Sequence, residues 1–152
     1  MLFRSGNGGS AANASHIAED LQKGVKECTG VRTKVMSLVD SVPLISAWAN
    51  DTGYENVFAE QIDSFLEPGD VVIAISASGN SSNVLRAVER ANEMGGVTIG
   101  LTGYDGGKLA QIAHKPLVVP SQSMQQIEDA HLVVGHVIYN CLIQECGQKA
   151  AQ

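Results

Sequence analysis

Short β-rich runs alternating with longer helical patterns predict an α/β protein, a three-layer sandwich around a central, mostly parallel sheet of five strands. Two further observations carry that expectation. Val71-Val72-Ile73-Ala74-Ile75 is too continuously apolar for a half-exposed strand, which places it at the centre of a sheet covered on both faces. Each Gly/Ser-rich segment also follows a predicted strand, so the loops should gather at the carboxyl edge, where open sheets bind ligands.

Taken in order, Leu2-Phe3-Arg4 reads as a first strand and Ser10 to Leu21 as a helix entered from a glycine-rich loop. Lys34 to Val39 is a second strand. Gly53 to Leu66 is helical, with Val57, Phe58, Ile62, Phe65 and Leu66 on one side. Glu67-Pro68-Gly69-Asp70 is a turn before the central strand. Ser81 to Met94 is a helix closed by Gly95-Gly96. Val97 to Leu101 and Leu117 to Val119 complete the five strands, and Met124 to Cys146 forms a long apolar helix or pair of helices.

The chain has 152 residues, enough for a single domain (1–152) with a real core. Apolar residues make up 44% and the formal net charge is −6, with no basic cluster. That balance argues against nucleic acid, whose backbone is held by grouped Lys and Arg. Cys28, Cys141 and Cys146 are scattered and without C-x-x-C spacing, so they read as reduced thiols. No apolar run reaches the ~18 residues of a membrane span. Together these features lead us to expect a cytoplasmic protein.

Three segments carry chemistry. Gly6-Asn7-Gly8-Gly9-Ser10 runs into a helix start, where glycines allow close approach and unpaired N–H groups attract anions. One turn on, His16 and Asp20 share a helix face, and Glu19, three residues from His16, could face the same site. Ser76-Ala77-Ser78-Gly79-Asn80-Ser81-Ser82 packs hydroxyls and a helix start together, a donor nest suited to phosphate. A Walker lysine and a G-x-G-x-x-G are both missing, so nucleotide binding is not supported. On the last helix Glu128 and His136, eight apart, lie on broadly one face. His16, Asp20, Glu128 and His136 suit a divalent metal such as zinc, and equally an acid/base pair.

At these residues the chain resembles the sugar isomerase (SIS) fold, which is flavodoxin-like, and within it the phosphoheptose isomerase group. The resemblance rests on G-N-G-G-S-A-A-x-A-x-H at 6–16, W-A-N-D at 48–51 and S-x-S-G-N-S at 76–81. L-T-G-x-D-G-G-K at 101–108 and I-x-x-x-H-x-x-x-x-H ending at His136 extend it along essentially the whole chain. It implies aldose–ketose isomerisation of sedoheptulose 7-phosphate to D-glycero-D-manno-heptose 7-phosphate, through an enediol. By the same resemblance Ser76, Ser78 and Ser81 would hold the phosphate. Asn7, Gly8, Ser10 and Asp51 would contact the sugar, and His16, Asp20, Glu128 and His136 would form a zinc and catalytic cluster. Homotetramers with active sites between subunits are implied as well.

Three departures accompany the likeness. Asp20 stands where relatives usually carry a catalytic Glu, and Glu128 where they carry a Gln ligand. The changes could compensate, with base duty passing to Glu128 rather than Asp20. The N-terminal helices usual in the group are expected to be missing or shortened here. Two other function classes remain open on residues alone: a non-catalytic regulator of the replication-initiator-binding type, and a sugar-phosphate sensor without turnover.

Overall fold

A computed structural model describes residues 1–150 of the chain. Five strands form one sheet in the order β2-β1-β3-β4-β5, every pair parallel. They are β1 (Leu2–Ser5), β2 (Val35–Ser37), β3 (Val71–Ile75), β4 (Val97–Gly103) and β5 (Lys115–Val119). The apolar run 71–75 is the middle strand, as its composition requires.

Side chains alternate across the pleat and build two cores. Val72 and Ala74 of β3 join Phe3 on one face, where α4 (Ala59–Phe65) and α5 (Ser82–Glu93) pack. Ile73 and Ile75 point the other way, to Ala14 of α1 (Gly9–Glu19) and to α7 (Met124–Ala150). Along α5 the buried Val84, Ala87, Val88 and Ala91 recur at i, i+3, i+4 and i+7, the stripe a covering helix needs. Gly95, with φ +79°, ends that helix: Gly96 N–H reaches Ala91 O at 2.8 Å and Gly95 N–H reaches Asn92 O at 3.1 Å, a Schellman closure.

Several elements differ from the sequence expectation. The first helix does not stop at Leu21 but passes through a π-helical turn at Asp20–Gly24 into α2 (Val25–Thr29). An unforeseen α3 (Val42–Asp51) starts with proline in its first turn, where the missing N–H costs nothing. A short α6 (Leu109–Ile112) was also unforeseen, and Gly53 to Leu66 divides into a 3-10 turn at Tyr54–Asn56 and α4. Phe65, expected on one side with Val57, Phe58, Ile62 and Leu66, is 47% exposed at the end of α4, whereas those four are buried. The last segment is one helix, not two.

α1 and α7 lie side by side and run the same way. Their contacts advance in step: Gly9 against Glu128, Ile17 against Gly135, and Gly24 of the π turn against Tyr139. Parallel helices therefore bring His16 level with His136.

Candidate active site

The strand order reverses between β1 and β3, and their pairing ends at Ser5 and Ala74. Beyond that point the two loops part and leave a cleft of about 280 Å³, the crevice that doubly wound sheets use for ligands. Asn7, Gly8, Gly9 and Ser10 form one wall, and Ile75, Ser76, Ala77, Ser78 and Ser81 the other. Met124 and Glu128 of α7 close it.

The first wall is a tight turn. A β-carbon at Gly6 would lie 2.8 Å from the backbone of Ser10, and Gly8 has φ +54°. The serine wall is braced internally, because Ser76 Oγ donates to Ser81 Oγ at 3.1 Å and Asn80 N–H donates to Ser78 Oγ at 3.2 Å. It is also braced from behind. Gly79, with φ +65°, presses so closely on the third loop that a β-carbon would sit 2.1 Å from Gly106 O. Gly103 N–H donates to Ala77 O at 2.8 Å and Leu109 N–H to Gly79 O at 2.9 Å. Residues 102–107 thus buttress the serine loop and take no part in lining the cleft.

Glu128 faces the cleft against Gly9, where any β-carbon would collide with its carboxylate at 2.4–2.5 Å. Its backbone carbonyl is held by Asn13 Nδ2 at 2.9 Å, which fixes this part of α7 to α1. One helical turn on, His131 is fully buried and its Nε2 lies 3.1 Å from Thr102 O. A carbonyl only accepts, so Nε2 carries the hydrogen. Burial holds its pKa below the ordinary histidine value.

His16, Asp20 and His136 form a second group. The two Nε2 atoms are 3.2 Å apart, and Asp20 Oδ2 lies 3.5 Å from His16 Nε2 and 3.6 Å from His136 Nε2. Both imidazoles are about half exposed, at 50% and 45% of their side-chain surface. This near-equilateral triangle matches one face of a zinc tetrahedron, whose edge is about 3.3 Å for bonds of about 2.0–2.1 Å. Neutral imidazoles and a carboxylate are also the donor types zinc takes. The residues therefore fit the metal.

The four residues expected to cluster do not all converge within one chain. Among the described residues the convergent set is His16, Asp20 and His136, without Glu128. Eight residues share a face of a helix but advance along its axis by roughly 12 Å, so Glu128 belongs to the cleft and His136 to the triangle. Asp51 is likewise absent from the cleft lining; it is exposed at the end of α3 and accepts from Asn50 Nδ2 at 2.8 Å. Glu19 is exposed beside a different surface cavity, with Lys23 and Asp40.

Three residues near the site escaped the sequence reading. Asn83 and Tyr54 both bond to the Asn7 side chain. Arg4 is 0% exposed in β1, and none of its side-chain nitrogens has a partner among the described residues. Loss of water pushes its guanidinium pKa down to about 10, against the pull of the Asp20 carboxylate. A lone charge inside an apolar strand was the one available signal for Arg4.

Comparison with known proteins agrees with this geometry. The SIS domain family matches residues 1–103. The chain is 43% identical over 138 residues to the phosphoheptose isomerase of Aquifex aeolicus (strain VF5), covering 91% of this chain and 71% of that protein. Its fold superposes with TM-score 0.85 on a phosphoheptose isomerase from Neisseria gonorrhoeae, at 35% identity over 93% of this chain and 74% of that one. The Francisella tularensis phosphoheptose isomerase also gives 0.85, at 28% identity over 95% and 75% of the respective chains. The chain belongs to the SIS domain family, in its phosphoheptose isomerase group.

Proposed function

We propose that this chain is a phosphoheptose isomerase that converts sedoheptulose 7-phosphate to D-glycero-D-manno-heptose 7-phosphate. The observation that carries the reading is the cleft itself: a serine nest on one wall, a carboxylate at its end and no lysine or arginine among its lining residues. Backbone N–H groups and hydroxyls of Ser76, Ser78 and Ser81 take the phosphate. Asn7, Gly8 and Ser10 meet the sugar hydroxyls across the cleft.

Isomerisation moves one hydrogen between adjacent carbons. Glu128 takes the proton from C1 of the ketose as O2 gains one from solvent in the cleft, which leaves a neutral enediol. Glu128 then returns a proton to C2 as O1 releases its own to solvent, so that the aldose carbonyl forms at C1 and Glu128 is restored. Glu128 is preferred to Asp20 as the base because it lines the cleft, whereas Asp20 lies between the two histidines. Phosphate binding remote from the reacting carbons supplies positioning.

His16, Asp20 and His136 would hold zinc. Bound there, it would supply a positive charge, which would act on the enediol oxygens where the assembly sets the triangle of one copy against the cleft of another. A homotetramer with active sites between subunits accounts for the half-exposed histidines, which a neighbouring copy would cover. Among the described residues no helix is long and apolar enough to cross a membrane. Turnover of sedoheptulose 7-phosphate by Glu128→Gln and His136→Ala tests the roles. Both variants should lose activity by about 100-fold or more, and wild-type rates in either would refute its assignment.

A further inference from the structure

Asn7 is tied more heavily than a residue that merely touches sugar needs to be. Its Nδ2 donates to Asn83 Oδ1 at 2.8 Å, and Asn83 Nδ2 donates back to Asn7 Oδ1 at 2.9 Å. Tyr54 OH adds a second bond to Asn7 Oδ1 at 2.9 Å. Asn83 is only 2% exposed, and its Oδ1 also accepts Val84 N–H at 3.0 Å, so its amide has one orientation. Asn7 is left with a single Nδ2 hydrogen for the cleft.

These contacts join three separate segments. Asn7 stands in the loop after β1, Asn83 in the first turn of α5 just past Ser81, and Tyr54 in the 3-10 turn behind α3. The sheet stops holding the two cleft walls together at Ser5 and Ala74. Past that point the walls are bridged by the reciprocal amide pair, which forms only at one separation and one relative orientation. The clasp therefore sets the distance between the sugar wall and the phosphate wall.

We propose that Asn83 and Tyr54 are positioning residues which, by clasping Asn7, select the chain length of the sugar phosphate that is isomerised. The inference rests on the isomerase reading. A phosphate fixed at the serine loop places a particular carbon beside Glu128, and the width of the cleft decides which carbon that is. A slack clasp lets a seven-carbon substrate sit out of register and admits shorter ones.

The test measures kcat and KM for sedoheptulose 7-phosphate, a six-carbon and a five-carbon ketose phosphate, together with affinity for inorganic phosphate by calorimetry. Asn83→Asp keeps the shape but removes the donor to Asn7 Oδ1, and Tyr54→Phe removes the other bond from a half-exposed site that folding tolerates. In Asn83→Asp, kcat/KM for the seven-carbon substrate should fall by about 10- to 100-fold, since misplacement of about 1 Å has effects of that order. Its preference over the six-carbon substrate should shrink by about tenfold, mainly through kcat, with phosphate affinity unchanged. Tyr54→Phe should change the preference in the same direction by a smaller factor. An unchanged preference in an active, folded Tyr54→Phe, or equal losses on all three substrates together with phosphate affinity, would overturn the proposal. A wild-type protein that isomerises none of the three overturns the isomerase reading and this inference with it. Wild-type turnover with selectivity unaltered in the variants overturns the inference alone.

Discussion

Ile17 and Gly135 are in direct apposition: a β-carbon added at Gly135 would lie 2.1 Å from Ile17 Cδ1. Each is the chain neighbour of a histidine of the triangle, Ile17 of His16 and Gly135 of His136. The absence of a side chain at 135 is what lets α1 and α7 approach closely enough for the two imidazoles to meet.

Gly135→Ala should therefore push the helices apart. Overpacking of this kind costs about 1–3 kcal/mol, readable in chemical denaturation. The variant should also lose most of the stabilisation that zinc gives. A fully stable variant with unaltered zinc response would mean that this contact does not set the histidine separation.

Zinc titration separates the three-residue triangle from the four-residue cluster that the sequence suggests. Saturating zinc, at about 100 times its dissociation constant, should stabilise the folded protein by about 2.7 kcal/mol, seen as a rise in Tm. His16→Ala and His136→Ala should abolish that rise. Glu128→Gln should keep it while losing turnover, because Glu128 stands in the cleft and not in the triangle. Loss of the zinc response in Glu128→Gln would place Glu128 among the ligands.

Acid sensitivity should trace in part to His131. Its folded pKa lies below the unfolded value of about 6.5, so the unfolded chain binds more protons as pH falls. This residue's contribution is complete above pH of about 6.5 and declines below it, toward the lowered folded pKa, with a slope of at most about 1.4 kcal/mol per pH unit. In His131→Gln, whose amide can still donate to Thr102 O, that part of the slope should vanish between pH 7 and 5. The same acid slope in the variant would assign the loss to other groups.

Arg4 should be dispensable for folding. It is a buried charge with no hydrogen-bond partner among the described residues, and burial disfavours its charged form. Replacing buried ionic groups with apolar ones of similar size is commonly neutral or stabilising, by about 1–4 kcal/mol. Arg4→Met should match or exceed the wild type in equilibrium denaturation. A loss of more than about 1 kcal/mol would show that the guanidinium has a stabilising partner.

Much of this was legible in the sequence because periodicity and punctuation carry it. The apolar run 71–75 could only be a central strand, and His16 with Asp20 could only share a helix face. What escaped depended on rise, register or tertiary packing. Glu128 and His136 share a face, but angular position says nothing of the roughly 12 Å between them along the axis. The π turn at Asp20–Gly24 leaves no mark in composition, and α3 sets only Ile45, Trp48 and Ala49, none fully buried, against the core, a stripe too short to stand out beside the motifs. The clasp among Asn7, Asn83 and Tyr54 joins positions up to 76 residues apart, which only the parallel sheet brings together.

The most direct measurement incubates the purified protein with sedoheptulose 7-phosphate in D2O and follows the sugars by NMR. Isomerisation through an enediol predicts D-glycero-D-manno-heptose 7-phosphate carrying deuterium at C2 in the fraction whose Glu128 proton exchanges with solvent, formed by wild type and not by Glu128→Gln. Ketose recovered unchanged from the zinc-loaded wild-type protein would contradict the account.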